Sequence, residues 1–97
     1  MIANYKQIKL TEMSEKDTIY IRKTIIDFSV TFYCKFLKYD GRYVKGISIE
    51  PVIIGLHGKP KSYTIPQEEK IVARPTSCYL WDGKKEKYFN KQGEIEQ

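Results

Sequence analysis

Apolar and polar side chains alternate along residues 28–39, FSVTFYCKFLKY, the period-two signature of a half-buried β-strand. Asp40-Gly41 and then RYVKGISIE follow. Asp-Gly between two β-rich runs predicts a hairpin closed by a two-residue type I′ turn. That turn would set Tyr39 opposite Arg42, Leu37 opposite Val44, Cys34 opposite Ile47 and Phe32 opposite Ile49. Alternation then predicts two faces. Phe28, Val30, Phe32, Cys34 and Phe36, with Ile47 and Ile49, make a core face. Ser29, Thr31, Tyr33, Lys35, Leu37 and Tyr39, with Arg42, Val44 and Ser48, make an amphipathic one.

The rest of the chain extends this pattern. SCYLW, Asp82-Gly83 and KKEKYF predict a second hairpin, with Trp81 opposite Lys84 and Tyr79 opposite Glu86. Gly55, Gly58, Pro60, Pro66 and Pro75 divide residues 50–76 into short pieces, among which PVIIG reads as a buried strand and KIVAR as a strand. NYKQIKL alternates as a strand does. Thr11 can cap a short helix with Glu12 and Glu15 in its first turn. Residues 18–26, TIYIRKTII, fit a helix face at Ile19, Lys23 and Ile26, but their β-branched content favours a strand. The expected fold is mainly β: a small single-domain antiparallel barrel or sandwich over residues 1–97, of about five to seven strands, with two Asp-Gly hairpins and room for one short N-terminal helix.

Composition narrows the functional classes. Ninety-seven residues form one domain with one modest core, too little for a large multi-part active site or a separate cofactor domain. The 13 % aromatic content, eight of these residues tyrosine, is that of a folded chain. Fourteen of the 17 basic residues are lysine, and lysine, isoleucine and tyrosine have A/T-rich codons, an association that points to a low-GC bacterium, phage or mobile element. The net charge of +5 is spread along the chain and favours an anionic partner. No segment is apolar enough to span a bilayer or serve as a signal peptide core, and two cysteines do not make a disulfide framework. These features read as a cytoplasmic protein with reduced thiols.

No residue group announces catalysis. One histidine and two cysteines 44 positions apart do not make a metal site. Gly55-Leu56-His57-Gly58-Lys59 resembles the Gly-x-x-Gly loop of KH domains and a shortened phosphate loop. It is two residues too short for the latter, and the following PKSYTIP does not continue as a helix, so a tight turn is expected there. Its amides, with Lys59 and Lys61, are the segment's only route to a phosphate. Cys34 reads as a buried inert thiol, and the acidic residues form no evident pair, Asp27 and Glu50 being those expected to be partly buried.

The basic and aromatic residues carry the functional signal. Tyr33, Lys35, Tyr39 and Arg42 are expected on one sheet face, and Trp81, Lys84, Lys85 and Lys87 form a second cluster near Tyr88 and Lys91. Aromatic rings that stack on bases beside cations that meet phosphates are the means by which single-stranded nucleic acid is held. The same residues also suit a sandwich interior or a protein interface. The leading expectation is a non-enzymatic binding module, without cofactor or metal, for nucleic acid or a nucleotide. The alternative is a small phage or mobile-element protein that inhibits a host protein, and sheet edges leave a homodimer open.

Overall fold

The structure, a computed structural model, describes residues 8–25, 27–55 and 62–95. Eight strands are found among them: β1 (Thr18–Ile25), β2 (Phe28–Tyr39), β3 (Val44–Ser48), β4 (Val52–Gly55), β5 (Ser62–Ile65), β6 (Lys70–Ala73), β7 (Cys78–Trp81) and β8 (Glu86–Tyr88). Six of them form one antiparallel sheet in the order β6-β3-β2-β1-β7-β8, and β4 pairs with β5 in a separate two-stranded sheet. The fold is mainly β, as the alternation implied. No α-helix occurs among the described residues, and none is long and apolar enough to cross a membrane. The expected N-terminal helix is a single 3-10 turn, Leu10–Glu12, without a side-chain cap. Most of NYKQIKL and all of residues 56–61 lie outside the described residues, and the ambiguous segment 18–26 is a strand through Ile25.

The sheet curls until its two halves face each other. β6 swings back toward the far end of β1, where the Lys23 ammonium donates to the Val72 carbonyl at 2.7 Å. The concave side holds the core: Ile19 and Ile21 from β1, Val30, Phe32, Cys34 and Phe36 from β2, Val44 from β3, Ile71 from β6, Cys78 from β7, and Phe89. At one end the segments 8–10 and 93–95 meet, with Leu10 N–H donating to Gly93 O at 2.8 Å and Ile95 N–H to Ile8 O at 3.2 Å. Leu10 and Ile95 thereby join the core. Desolvation pushes both buried thiols up to about 12, with Cys34 also adding to the shift at Cys78.

The turns differ from the expected type, and the register changes with them. β2 and β3 are separated by the four residues 40–43, and Asp40 Oδ1 accepts the backbone N–H of Arg42 (2.8 Å) and Tyr43 (2.7 Å). Asp82 does the same for Lys84 (2.8 Å) and Lys85 (2.9 Å). Only the glycine of each pair adopts positive φ, 97° at Gly41 and 95° at Gly83, so neither is a type I′ turn. An aspartate that bonds the backbone two and three residues ahead stabilises a wider loop instead. Ile25 pairs with Phe28, and Asp27 before β2 adopts φ 66°.

Tyr39 therefore pairs with Val44, not Arg42. A β-bulge between Phe36 and Lys38 then shifts the register again, giving Phe36↔Gly46, Lys35↔Ile47 and Cys34↔Ser48. One extra residue exchanges the faces of everything beyond it. Val44, Gly46 and Ser48 turn to the core, whereas Ile47 is partly exposed and Ile49 is exposed. Phe28, at the end of β2, is exposed as well. Gly46 packs so closely that a Cβ there would lie 2.9 Å from Cys34 Cβ. Buried Ser48 donates its hydroxyl to Pro66 O (3.2 Å) and accepts Glu69 N–H (3.1 Å), leading the chain into β6. β4 is not a buried strand: Ile53 is 70 % exposed. Asp27 and Glu50 are both exposed, since each sits in a connection rather than in a strand.

Candidate functional site

The convex side of the sheet is built around four tyrosines. Cross-strand pairing sets Tyr33 (β2) beside Tyr20 (β1), Tyr20 beside Tyr79 (β7), and Tyr79 beside Tyr88 (β8). Their ring centroids are 4.9, 4.9 and 5.0 Å apart, and Tyr20 and Tyr79 are stacked at 8°. Two residues along β1 from Tyr20, on the same face, Arg22 lies 5.7 Å from the Tyr79 ring centre and 5.8 Å from that of Tyr88. It donates to Glu86 Oε2 at 3.1 Å, while Tyr88 O–H donates to Glu86 Oε1 at 3.1 Å. Burial, and next the Glu86 charge, hold the Tyr79 phenol above its ordinary range; burial and the bond to Glu86 do the same for Tyr88.

This geometry limits what the ladder can do. Cross-strand ring pairs at such distances stabilise a sheet. Because Tyr20 and Tyr79 each have a ring on both sides, their faces are already occupied. Stacking by an added planar group is left to the ends of the row. The ladder is a spine for the surface, with one cleft beside Tyr20 and Tyr33 and another beside Tyr88.

The first cleft, of about 570 Å³, opens beside Tyr33 and Tyr20. Trp81, Leu80, Met13 and Thr18 contribute to its wall, together with Lys9, Lys16, Glu12 and Asp17. Two cations and two carboxylates make it balanced in charge. Trp81 is half exposed. Thr18, paired with Lys35, sits one pleat beyond Tyr20, and the Tyr33 hydroxyl lies 3.3 Å from its Oγ1.

The second cleft, of about 700 Å³, lies along the seam where β6 returns to β1. Arg22, Lys23 and Arg74 line it without any aspartate or glutamate, and Thr24, Ser29, Thr76 and Ser77 add hydroxyls. Tyr43 and Tyr88 complete the wall, with Arg74 5.8 Å from the Tyr43 ring centre. The 3-10 turn Pro75–Ser77 carries Arg74, Thr76 and Ser77 past the end of β1 into β7. Three cations and four serine or threonine hydroxyls lining one cleft make a surface suited to phosphate oxygens. Glu86 restrains Arg22 from the side without lining the cleft.

The residues singled out by sequence are dispersed. Tyr33 and Trp81 both line the first cleft, and exposed Lys35 is paired with Thr18 beside it without lining it. Tyr39 does not join them: the bulge turns it inward, where it packs against the core and donates its hydroxyl to Gly41 O at 3.0 Å. Arg42 is in the loop beyond Tyr39, the end of β2, which is itself about 13 Å along the strand from Lys35 at the usual rise per residue. Lys84 and Lys85 occupy the turn after Trp81, and Lys87 faces the other side of β8 from Tyr88. Lys59, Lys61 and His57 lie outside the described residues. Missed were Tyr20, Tyr79, Arg22 and Arg74. Their alternation in YIR and CYLW was visible, but their meeting depends on β7 pairing with β1, which no local signal announces.

Comparison of the chain with protein-family models, curated proteins and solved structures gave no match. Among the described residues, no group of three or more His, Cys, Asp or Glu side chains is placed to hold a metal ion.

Proposed function

We propose that this protein is a non-enzymatic binding module for a phosphate-bearing partner, and that the partner is single-stranded nucleic acid. The curled sheet on this reading is a small, partly open barrel whose convex side is the working surface. One observation carries the proposal: Arg22, Lys23 and Arg74 converge on a cleft with four hydroxyls and no carboxylate. The net charge of +5 supports it by steering polyanions toward the surface. Both buried thiols lie in the core, where they serve packing rather than nucleophilic chemistry.

Binding of this kind releases condensed counterions, so its affinity falls with salt. The test is fluorescence anisotropy of a labelled single-stranded oligonucleotide at low and near-physiological salt, with the parent protein and Lys23→Gln/Arg74→Gln. The expected result is salt-sensitive binding whose log–log slope is smaller in the double variant by about one for each phosphate contact removed. Equal slopes would remove the cleft from the site.

A protein partner is the second reading. Exposed Ile49 and Ile53, on and beside the separate β4–β5 sheet, favour it, because apolar side chains outside the main sheet suit an interface. A salt-tolerant complex with a defined protein, lost on Ile53→Glu, is its signature.

A further inference from the structure

We infer that the cationic seam takes the phosphorylated end of a strand, a phosphate monoester, in preference to a phosphodiester within it. This rests on the nucleic-acid reading above and names the group that the seam recognises. The sheet topology brings the donors together. Lys23, near the end of β1, donates its ammonium to the Val72 carbonyl at 2.7 Å. Arg74 follows Val72 by two residues, about 7 Å at the usual strand rise, so both long side chains are within reach of a single phosphate group. Ile21 pairs with Cys78, which brings Ser77 alongside Arg22. Thr24, two residues beyond Arg22 and on the same face of β1, pairs with Ser29. All of these side chains line the one cleft, and Thr76 joins them from the 3-10 turn.

Charge and donor count favour a monoester. The lining carries three cations and no carboxylate, and neighbouring Glu86 offsets one of them through its 3.1 Å ion pair with Arg22. Two positive charges remain. A phosphodiester brings one negative charge and two unbridged oxygens. A terminal phosphate carries a charge of about −1.5 to −2 near neutral pH and three acceptor oxygens. One terminal phosphate therefore neutralises this lining, which one diester does not, and its third oxygen gives the hydroxyls a further acceptor. The existing bonds leave donors to spare. An ammonium has three N–H groups and a guanidinium five, against one bond from Lys23 to Val72 and one from Arg22 to Glu86.

The test is anisotropy of internally labelled oligothymidylates: one with a 5′-phosphate, one with a 3′-phosphate, and an unphosphorylated strand two nucleotides longer, which carries the same total charge. The expected result is that a phosphorylated strand binds about tenfold tighter than the charge-matched one, and that Lys23→Gln/Arg74→Gln abolishes this preference. Arg74 is exposed, so Arg74→Gln alone, expected to lose most of the preference, reads the site if the double variant does not fold. A preference that survives both variants overturns the assignment to the seam. Thymidine monophosphate, added as a competitor, should displace the strand only at far higher concentration; displacement at equal concentration overturns the strand as the source of the phosphate. Equal affinity for phosphorylated and charge-matched strands, with a smaller salt slope in the double variant, overturns the end site and leaves the phosphate reading standing. No binding of any strand overturns both.

Discussion

Replacing Tyr79 by leucine separates the two contributions its ring makes. Tyr79 is 6 % exposed, so leucine retains most of the apolar burial while removing the aromatic contacts. Those are the ring pairs with Tyr20 and Tyr88 and the contact with the Arg22 guanidinium. Each ring pair contributes about 0.5–1.5 kcal/mol beyond area burial, and a half-exposed cation over a ring about 0.5 kcal/mol. The leucine variant should lose about 2 kcal/mol in urea-induced unfolding. For a domain of this size that lowers Tm by about 8–16 °C. Tyr79→Ala also opens a cavity and should cost about 3–5 kcal/mol, in line with other large aromatic truncations. A double-mutant cycle with Tyr20→Leu isolates the stacked pair, with an expected coupling of about 1 kcal/mol. A leucine variant within about 0.5 kcal/mol of the parent, with no coupling, would show that the rings act only as apolar bulk.

Other predictions follow from the packing and the titrating groups. Gly46→Ala, with its new methyl 2.9 Å from Cys34 Cβ and 3.2 Å from the Lys35 carbonyl, should cost about 1–3 kcal/mol, as overpacking does; denaturant midpoints check it. Cys34 and Cys78 should resist thiol reagents until the protein unfolds, because both are fully buried. Their pKa values are raised from 9.0 to about 12, so stability is intact below pH 9. It is lost as pH rises from 9 toward 12, at about 1.4 kcal/mol per pH unit for each ionising thiol. Unfolding curves of Cys→Ser variants at alkaline pH test this sign. The opposite holds for Asp40 and Asp82, whose pKa values lie below 3.8 because each carboxylate accepts two backbone N–H bonds. Their contribution is present above that value and is lost as pH falls through the folded pKa. The Asn variants should flatten the acid side of the profile.

Much of the fold was legible because alternation is local. Val30, Phe32, Cys34 and Phe36 announce an inward face by spacing alone, and they lie in the core. The errors have two physical sources. Asp40 and Asp82 were read as φ > 0 turn residues, whereas their side chains bond the backbone ahead and widen the loop. The bulge near Leu37 has no strong sequence mark, yet it reverses the faces of Val44, Ser48 and Tyr39. The candidate site was less legible than the core. Tyr33 and Trp81 were found on chemical grounds, but their neighbours Tyr20 and Tyr79 arrive through the β1–β7 pairing, across 58 intervening residues. The cationic seam likewise joins the end of β1 to the turn after β6, and Arg22, Lys23 and Arg74 have no spacing rule in common.

The central claim is that the convex surface binds a strand through its phosphates at the seam of β1 and β6. It is tested most directly by the salt dependence of single-stranded oligonucleotide binding in the parent and in Lys23→Gln/Arg74→Gln. Log affinity should fall linearly with log salt, with a smaller slope in the variant. Binding absent at low salt, or a slope unchanged by the two substitutions, would contradict it.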